Sequence, residues 1–461
     1  MSTEISWELV LSGNTVKSYL KLEDLTQLSL SSKLIRSKLN QNIFKLLNLT
    51  KFMNNKRFHS MFTNEAYDHK LLKLPDNKYL SQMAKQAGCQ VWELKVFYNP
   101  FQKYSSFYMK DIDKFKKSFD FYKKFVKGIN LRFENDYYHL LWEIPYIFPN
   151  ITRLALDSST LTLILCQALF DKLKNLTSIS MKDCKLIQNR KNAIKLKFPE
   201  SVEKVSLISC KLVYVRSPKA QIPYFIGKGI QLENHAYVFP AQTLPNLVCL
   251  KYHDKPQTNA VLTKFIALNP QLNSVKLDSK NISYEVMLSL SEKDIPFDLV
   301  INSKEYRIPE SQIGDLPIVP NLKTLELEVP WRSRLYNILP IITPNLATLK
   351  IHFNNSNKLE TIEFIQKFST IKFLSINFNQ NSIDFDLLKD FNQLRKLEEI
   401  ELTGLNLLKI EVINILSYPK LNCIRVYTEE VLKRTVVKLD LPSNWKFTKY
   451  KTLLKIYKVE V

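Results

Sequence analysis

A hydrophobic pattern that returns about every 25 residues constrains this chain more than any other feature. Segments of the form [P/K]N-[L/I]-x-x-[L/I]-x-[L/I] place their first apolar residue at Ile151, Leu176, Val202, Leu247, Leu272, Leu322, Leu346, Ile371, Leu397 and Leu421. Successive steps are 25, 26, 45, 25, 50, 24, 25, 26 and 24 residues, so the two long ones are close to double. The 50-residue step holds a degenerate unit, PFDLVI, with Leu299 and Ile301 at the inner apolar pair; in the 45-residue step Ile230 and Leu232 are a poorer candidate. One more unit precedes the series at Val126, and Trp445 extends it at a step of 24. Such a period means one supersecondary unit copied many times, each too small to bury its apolar face alone and therefore stacked on its neighbours. Alternate apolar residues predict a short strand in each unit. Apolar spacings of three and four predict helices over 162–174, 261–268, 284–293, 358–368 and 387–396. Strand, turn and helix repeated about ten to twelve times predict an α/β fold, a curved parallel sheet with outer helices.

Composition narrows the function. With 461 residues, 45% of them hydrophobic, the chain has ample core. Only 7 residues are Gly, which disfavours folds that need glycine at phosphate loops or left-handed turns, and Gly227 and Gly229 are the nearest approach to a phosphate loop. No HExxH, GxSxG, CxxC or EF-hand pattern occurs, so no enzyme, cofactor or metal is expected. Six dispersed cysteines and an opening without an apolar signal region predict reduced thiols in the cytoplasm or nucleus. The longest apolar run, residues 161–170, is about half a bilayer span, so no membrane is expected. A net charge of +22 suggests an anionic partner, yet the basic residues are 54 Lys and only 12 Arg. Sequence-specific nucleic-acid readers lean on the planar Arg fork, and a lysine excess reflects an AT-rich genome equally well. Nucleic acid is therefore the disfavoured partner. The stripe Phe115, Phe119, Tyr122, Val126, flanked by lysines, reads as an amphipathic repeat helix with a solvated basic face rather than a nucleic-acid element.

The best-formed units, LTSISMKDCKL at 176–186 and VEKVSLISCKL at 202–212, fit LxxLxLxx[N/C]xL. From these residues onward the chain resembles the leucine-rich-repeat family, with unit lengths like those of the cysteine-containing repeats of F-box proteins. Cys184 and Cys210 then take a buried ladder position and Met181 a core leucine position. Residues 5–47 differ: they read as three short helices with more apolar positions than about 45 residues can bury alone. This stretch resembles an F-box. YLKLEDLTQLSLSSKLIR at 19–36 matches YLxxxDLxxLxxVSK, Ile43 and Phe44 replace the closing LW, and WELV at 7–10 replaces the LPxE opening. The resemblance implies docking on the Skp-type adaptor, and through it the cullin, of an SCF ubiquitin ligase. Leu9, Val10, Val16, Leu20, Leu25, Leu28, Leu30, Ile43 and Phe44 would be divided between that contact and the motif's own packing. The other reading makes these helices a cap over the first repeat of an interaction scaffold without ubiquitin chemistry, its lysine excess serving a nucleic-acid or chromatin partner. The expected organisation is thus an F-box-like motif at 5–47, a connector with irregular first repeats at 48–125, and the leucine-rich-repeat solenoid at 126–461.

Alternation places the third, fifth and seventh residue of each unit on the concave face. Arg153, Lys182, Lys204, Lys251 and Lys276 make its earlier half basic; Glu326, Glu328, Glu399 and Glu401 make its later half acidic. The basic residues form a candidate site for an acidic or phosphorylated protein substrate. His253 and His352 share a strand position four units apart, too far for a common metal.

Overall fold

The period of the sequence is the hydrogen-bond register of the structure. The computed structural model describes residues 22–31, 33–55, 105–132, 138–141, 143–189, 196–215, 233–237, 239–253, 259–302, 316–328, 335–353, 358–378, 394–404, 419–427, 441, 443–450 and 452–459. The chain parts into two compact units, residues 1–247 and 248–461, and the division closes the 45-residue step inside the expected array. In both, all ten first apolar positions from Ile151 to Leu421 are at most 1% exposed. The fold is α/β, with its principal strands mostly parallel.

In residues 1–247 the strands are β1 (Leu46–Asn48), β2 (Gly128–Arg132), β3 (Arg153–Asp157), β4 (Thr160–Thr162), β5 (Ser178–Lys182), β6 (Lys185–Asn189), β7 (Lys204–Ile208), β8 (Lys211–Val215) and β9 (Glu233–Ala236). Strands β1, β2, β3, β5 and β7 lie side by side, all parallel. Gly128 stands beside Arg153, Arg153 beside Ser178 and Ser178 beside Lys204, so each neighbour is one repeat along. At each step one carbonyl accepts two successive amides. Lys127 O takes Thr152 and Arg153, Thr152 O takes Thr177 and Ser178, and Thr177 O takes Glu203 and Lys204.

Three of these repeats then turn into a second sheet, where β4, β6 and β8 run parallel and β9 closes antiparallel. The turns hold the expected ladder: Cys184 Sγ reaches Leu156 O at 3.4 Å and Cys210 Sγ reaches Met181 O at 3.5 Å, with Ser159 Oγ on Leu131 O in the preceding unit. The residue before each is left-handed, Ser158 at φ 48°, Asp183 at 52° and Ser209 at 52°. The low glycine count therefore does not disfavour left-handed turns, contrary to the expectation from composition. Single left-handed residues suffice, and short polar side chains accept that backbone at about 1–2 kcal/mol each. Helix Leu163–Lys172 starts where Thr162 Oγ1 accepts the Leu165 amide.

Residues 248–461 carry β10 (Cys249–His253), β11 (Ser274–Asp278), β12 (Phe297–Asn302), β13 (Leu322–Glu328), β14 (Thr348–Phe353), β15 (Phe373–Phe378), β16 (Glu399–Thr403), β17 (Cys423–Tyr427), β18 (Trp445–Lys449) and β19 (Leu453–Lys458). Strands β10 to β17 follow in chain order, all parallel. The degenerate unit pairs as expected, Leu299 beside Val275 and Leu325. Helices Asn259–Ala267, Tyr284–Ser291 and Lys358–Gln366 fall where the spacing predicts them, and Leu335–Ile342 adds another. The asparagines of the repeat signature are explained as well: Asn321 and Asn345 donate through Nδ2 to the carbonyls of Lys293 and Pro320 in the unit before.

Trp445 does not continue the parallel series. Its strand, β18, forms a hairpin with β19, and β19 lies antiparallel against β17 with β18 outside it. Period-two patterning is the same for both strand directions, so the sequence step could not report the reversal. The expected helix over 387–396 and the pair Ile230 and Leu232 lie outside the described residues, apart from the turn at its end. Among the described residues no helix is long and apolar enough to cross a membrane.

Gly404, at φ 79°, is the left-handed residue after β16, and a Cβ there would overlap the Phe378 carbonyl oxygen. Gly404→Ala should cost at least about 1–2 kcal/mol in urea unfolding, whereas Ser209→Gly should not destabilise. Lys293 is 4% exposed, donates to Pro270 O at 2.7 Å, and burial pushes its ammonium down to about 8. The unfolded chain therefore holds more protons between about pH 8 and 10.4, and stability should rise with pH through that window. Lys293→Met should abolish the rise.

Candidate protein-binding faces

The N-terminal segment and the outward face of the parallel strands are the two surfaces the sequence singles out. Helices Leu22–Ser31 and Lys33–Ile43 pack as a hairpin around Leu25, Ile35 and Leu39, with Leu28 and Ile43 partly buried against them. Leu25 thus falls to the hairpin's own packing in the division that the resemblance implies. Leu30 is 64% exposed and points away from that core. Leu9, Val10, Val16 and Leu20, with the first of the three expected helices, lie outside the described residues.

The end of this segment is strand rather than helix. Only Phe44 and Lys45 separate the hairpin from β1, and Lys45 O accepts the amides of Lys127 and Gly128 at 2.9 Å each. This repeats the two-amide rung made by Lys127, Thr152 and Thr177. Helix Leu49–Asn55 follows, and Thr50 Oγ1 both donates to Arg132 O and accepts from its amide. Phe44 meets Tyr122 and Phe52 meets Phe119 in tilted ring contacts, with centroids 4.3 and 4.4 Å apart. Phe44 is therefore half-buried inside the protein. The expected boundary at 47/48 falls within β1. In the stripe, Phe115 and Phe119 are buried on helix Ser105–Phe119 while Lys114, Lys116 and Lys117 are exposed; Tyr122 lies in the turn beyond, where the helix has ended.

On the strand face, inner pairs such as Leu154 and Leu156 are buried and the alternating residues point outward. In residues 1–247, Arg153, Lys182 and Lys204 are exposed. In residues 248–461, Lys276 is half-buried, and Lys251 is half-buried and already engaged in an interaction. The five expected cations thus divide three and two between the units.

The acidic residues are less available than alternation implies. Glu399 pairs with Arg425 on the next strand at 2.6 Å, and Glu401 accepts from Ser375 Oγ at 3.1 Å. Partial burial opposes the Arg425 charge, and the Glu399 bond and carboxylate outweigh it, so its pKa rises. Aligning the units would have exposed the second pairing, because Ser375 and Glu401 share a register position, but not the first, in which Glu399 stands beside Cys423 and reaches Arg425 diagonally. Asp278, Ser375 and Cys423 are buried. His253 and His352 lie on strands four steps apart, about 19 Å, and His352 instead meets Asn377. Among the described residues no group of three or more His, Cys, Asp or Glu is placed to hold a metal. No protein-family model and no curated protein matches the chain.

Because Glu399 serves Arg425, Glu399→Lys sets two cations against each other on adjoining strands. It should lower the free energy of urea unfolding by about 1 kcal/mol.

Proposed function

We propose that the chain is a leucine-rich-repeat protein with an N-terminal F-box, acting as a non-catalytic substrate-recognition subunit of an SCF-type ubiquitin ligase. On this reading the helical hairpin binds the Skp-type adaptor and, through it, the cullin. The strand face holds an acidic or phosphorylated protein substrate, in the cytoplasm or nucleus. Acceleration comes from holding that substrate near the other subunits. The observation that carries the reading is Leu30, 64% exposed on a hairpin that packs around Leu25, Ile35 and Leu39 and whose sequence resembles an F-box. The solenoid reading is supported by parallel neighbours that stand 24 to 26 residues apart throughout residues 248–427.

A specific observation favours a second reading. The Lys45 rung and β1 cover the first edge of the repeat strands, as a cap would. The two readings part on one experiment. Leu30→Asp should remove the Skp-type adaptor from a pull-down while leaving the melting temperature unchanged, because the side chain is already in water. Leu25→Asp should instead lower the melting temperature, since a carboxylate in the hairpin core is unpaired. A wild-type chain that captures no adaptor leaves the cap, and the scaffold reading with it.

A further inference from the structure

The strands of residues 1–247 place their outward residues in three rows. Gly128, Arg153, Ser178 and Lys204 make one edge; Asn130, Ala155, Ser180 and Ser206 the middle; Arg132, Asp157, Lys182 and Ile208 the other edge. The middle row is short and half-buried, whereas Arg132, Arg153, Lys182 and Lys204 are exposed. The result is a lane floored by small side chains with cations along both walls, the walls about 13 Å apart at 3.3 Å per residue. The cations also alternate. Successive strands supply Arg132 on one wall, Arg153 on the other, Lys182 on the first and Lys204 on the second, one for each step of about 4.8 Å.

We infer that this lane takes a contiguous acidic stretch of a protein, bound extended across the strands. An extended peptide is the ligand whose successive side chains point to alternate sides, so consecutive carboxylates meet alternate walls. Its rise of about 3.3 Å is shorter than the strand step, and the flexible Arg and Lys stems take up the difference. A nucleic-acid strand fits less well. The twelve lane positions include no aromatic ring on which a base could stack. Asp157 also stands between Arg132 and Lys182, interrupting the continuous cationic track that a phosphate backbone prefers. The inference rests on the reading of this face as the substrate surface, and it narrows the substrate to a run of neighbouring acids.

Fluorescence anisotropy on the full chain tests it with three probes: a nine-residue peptide with four contiguous acidic residues, the same composition with the acids dispersed, and a single-stranded oligo-dT of twelve nucleotides. The contiguous peptide should bind tightest. Arg153→Glu with Lys182→Glu should weaken it about tenfold, the size expected when two partly exposed ion pairs become repulsive. Lys172→Glu with Lys174→Glu, exposed but outside the lane, should change it less than about twofold. Should the reversal disturb the melting temperature, Arg132→Gln with Lys204→Gln gives the same readout without added negative charge. Equal binding of the two peptides, tighter binding of oligo-dT, or an equal loss in the control pair would overturn the lane. Leu30→Asp should leave peptide binding intact, so failure of the ligase reading and failure of the lane are read separately.

Discussion

One carbonyl accepting two amides from the next repeat sets the register on which the rest depends. With Lys127 O held by Thr152 and Arg153, and Thr152 O by Thr177 and Ser178, a strand can neither slide nor tilt without breaking a pair of bonds. Register matters because the side-chain period is two. A slip of one residue would turn Leu154 and Leu156 outward and bring Arg153 and Asp157 inward. Burial supports the same arrangement, since each covered leucine is worth roughly 1.5–3 kcal/mol only while its neighbours stay in place.

That dependence explains how much of the fold was legible. The first apolar positions and inner pairs were readable because burial against a neighbour demands them in every copy. The ladder cysteines were readable because the turn repeats with the strand. Other features leave no period. Strand β1 is three residues long and pairs with residues 82 positions further on, so nothing local announces it. The hairpin that displaces Trp445 from the parallel series has the same alternation as a parallel strand. The left-handed turns at Ser158, Asp183 and Ser209 show why a low glycine count is a weak argument against single tight turns.

The candidate faces were legible in kind and less so in detail. Alternation identified which side chains leave the core, but whether a charge is available depends on the strand beside it. Glu399 and Lys204 occupy equivalent positions; the first meets Arg425, while the second has Ser178 alongside. A charge census by residue type therefore overstates the acidic end. Among the basic residues of β2 to β7, Arg153 and Lys204 stand beside small neutral neighbours, while Arg132 and Lys182 share the single Asp157 between them.

Arg132 joins the two surfaces. Its backbone is clasped by Thr50, four residues beyond the Leu46 that begins β1, while its exposed side chain lies on the lane wall. With only Phe44 and Lys45 between helix and strand, the hairpin has little freedom to swing, and the contact of Phe44 with Tyr122 reduces it further. On the proposed reading, an adaptor held at Leu30 and a peptide held in the lane would keep a set geometry across β1 and β2. A proximity mechanism gains most from such stiffness, because the entropy of orienting the substrate is then met when the chain folds. The cap and the F-box are accordingly not competing uses of one segment: covering the first strand's edge is what would make the hairpin rigid enough to present a partner.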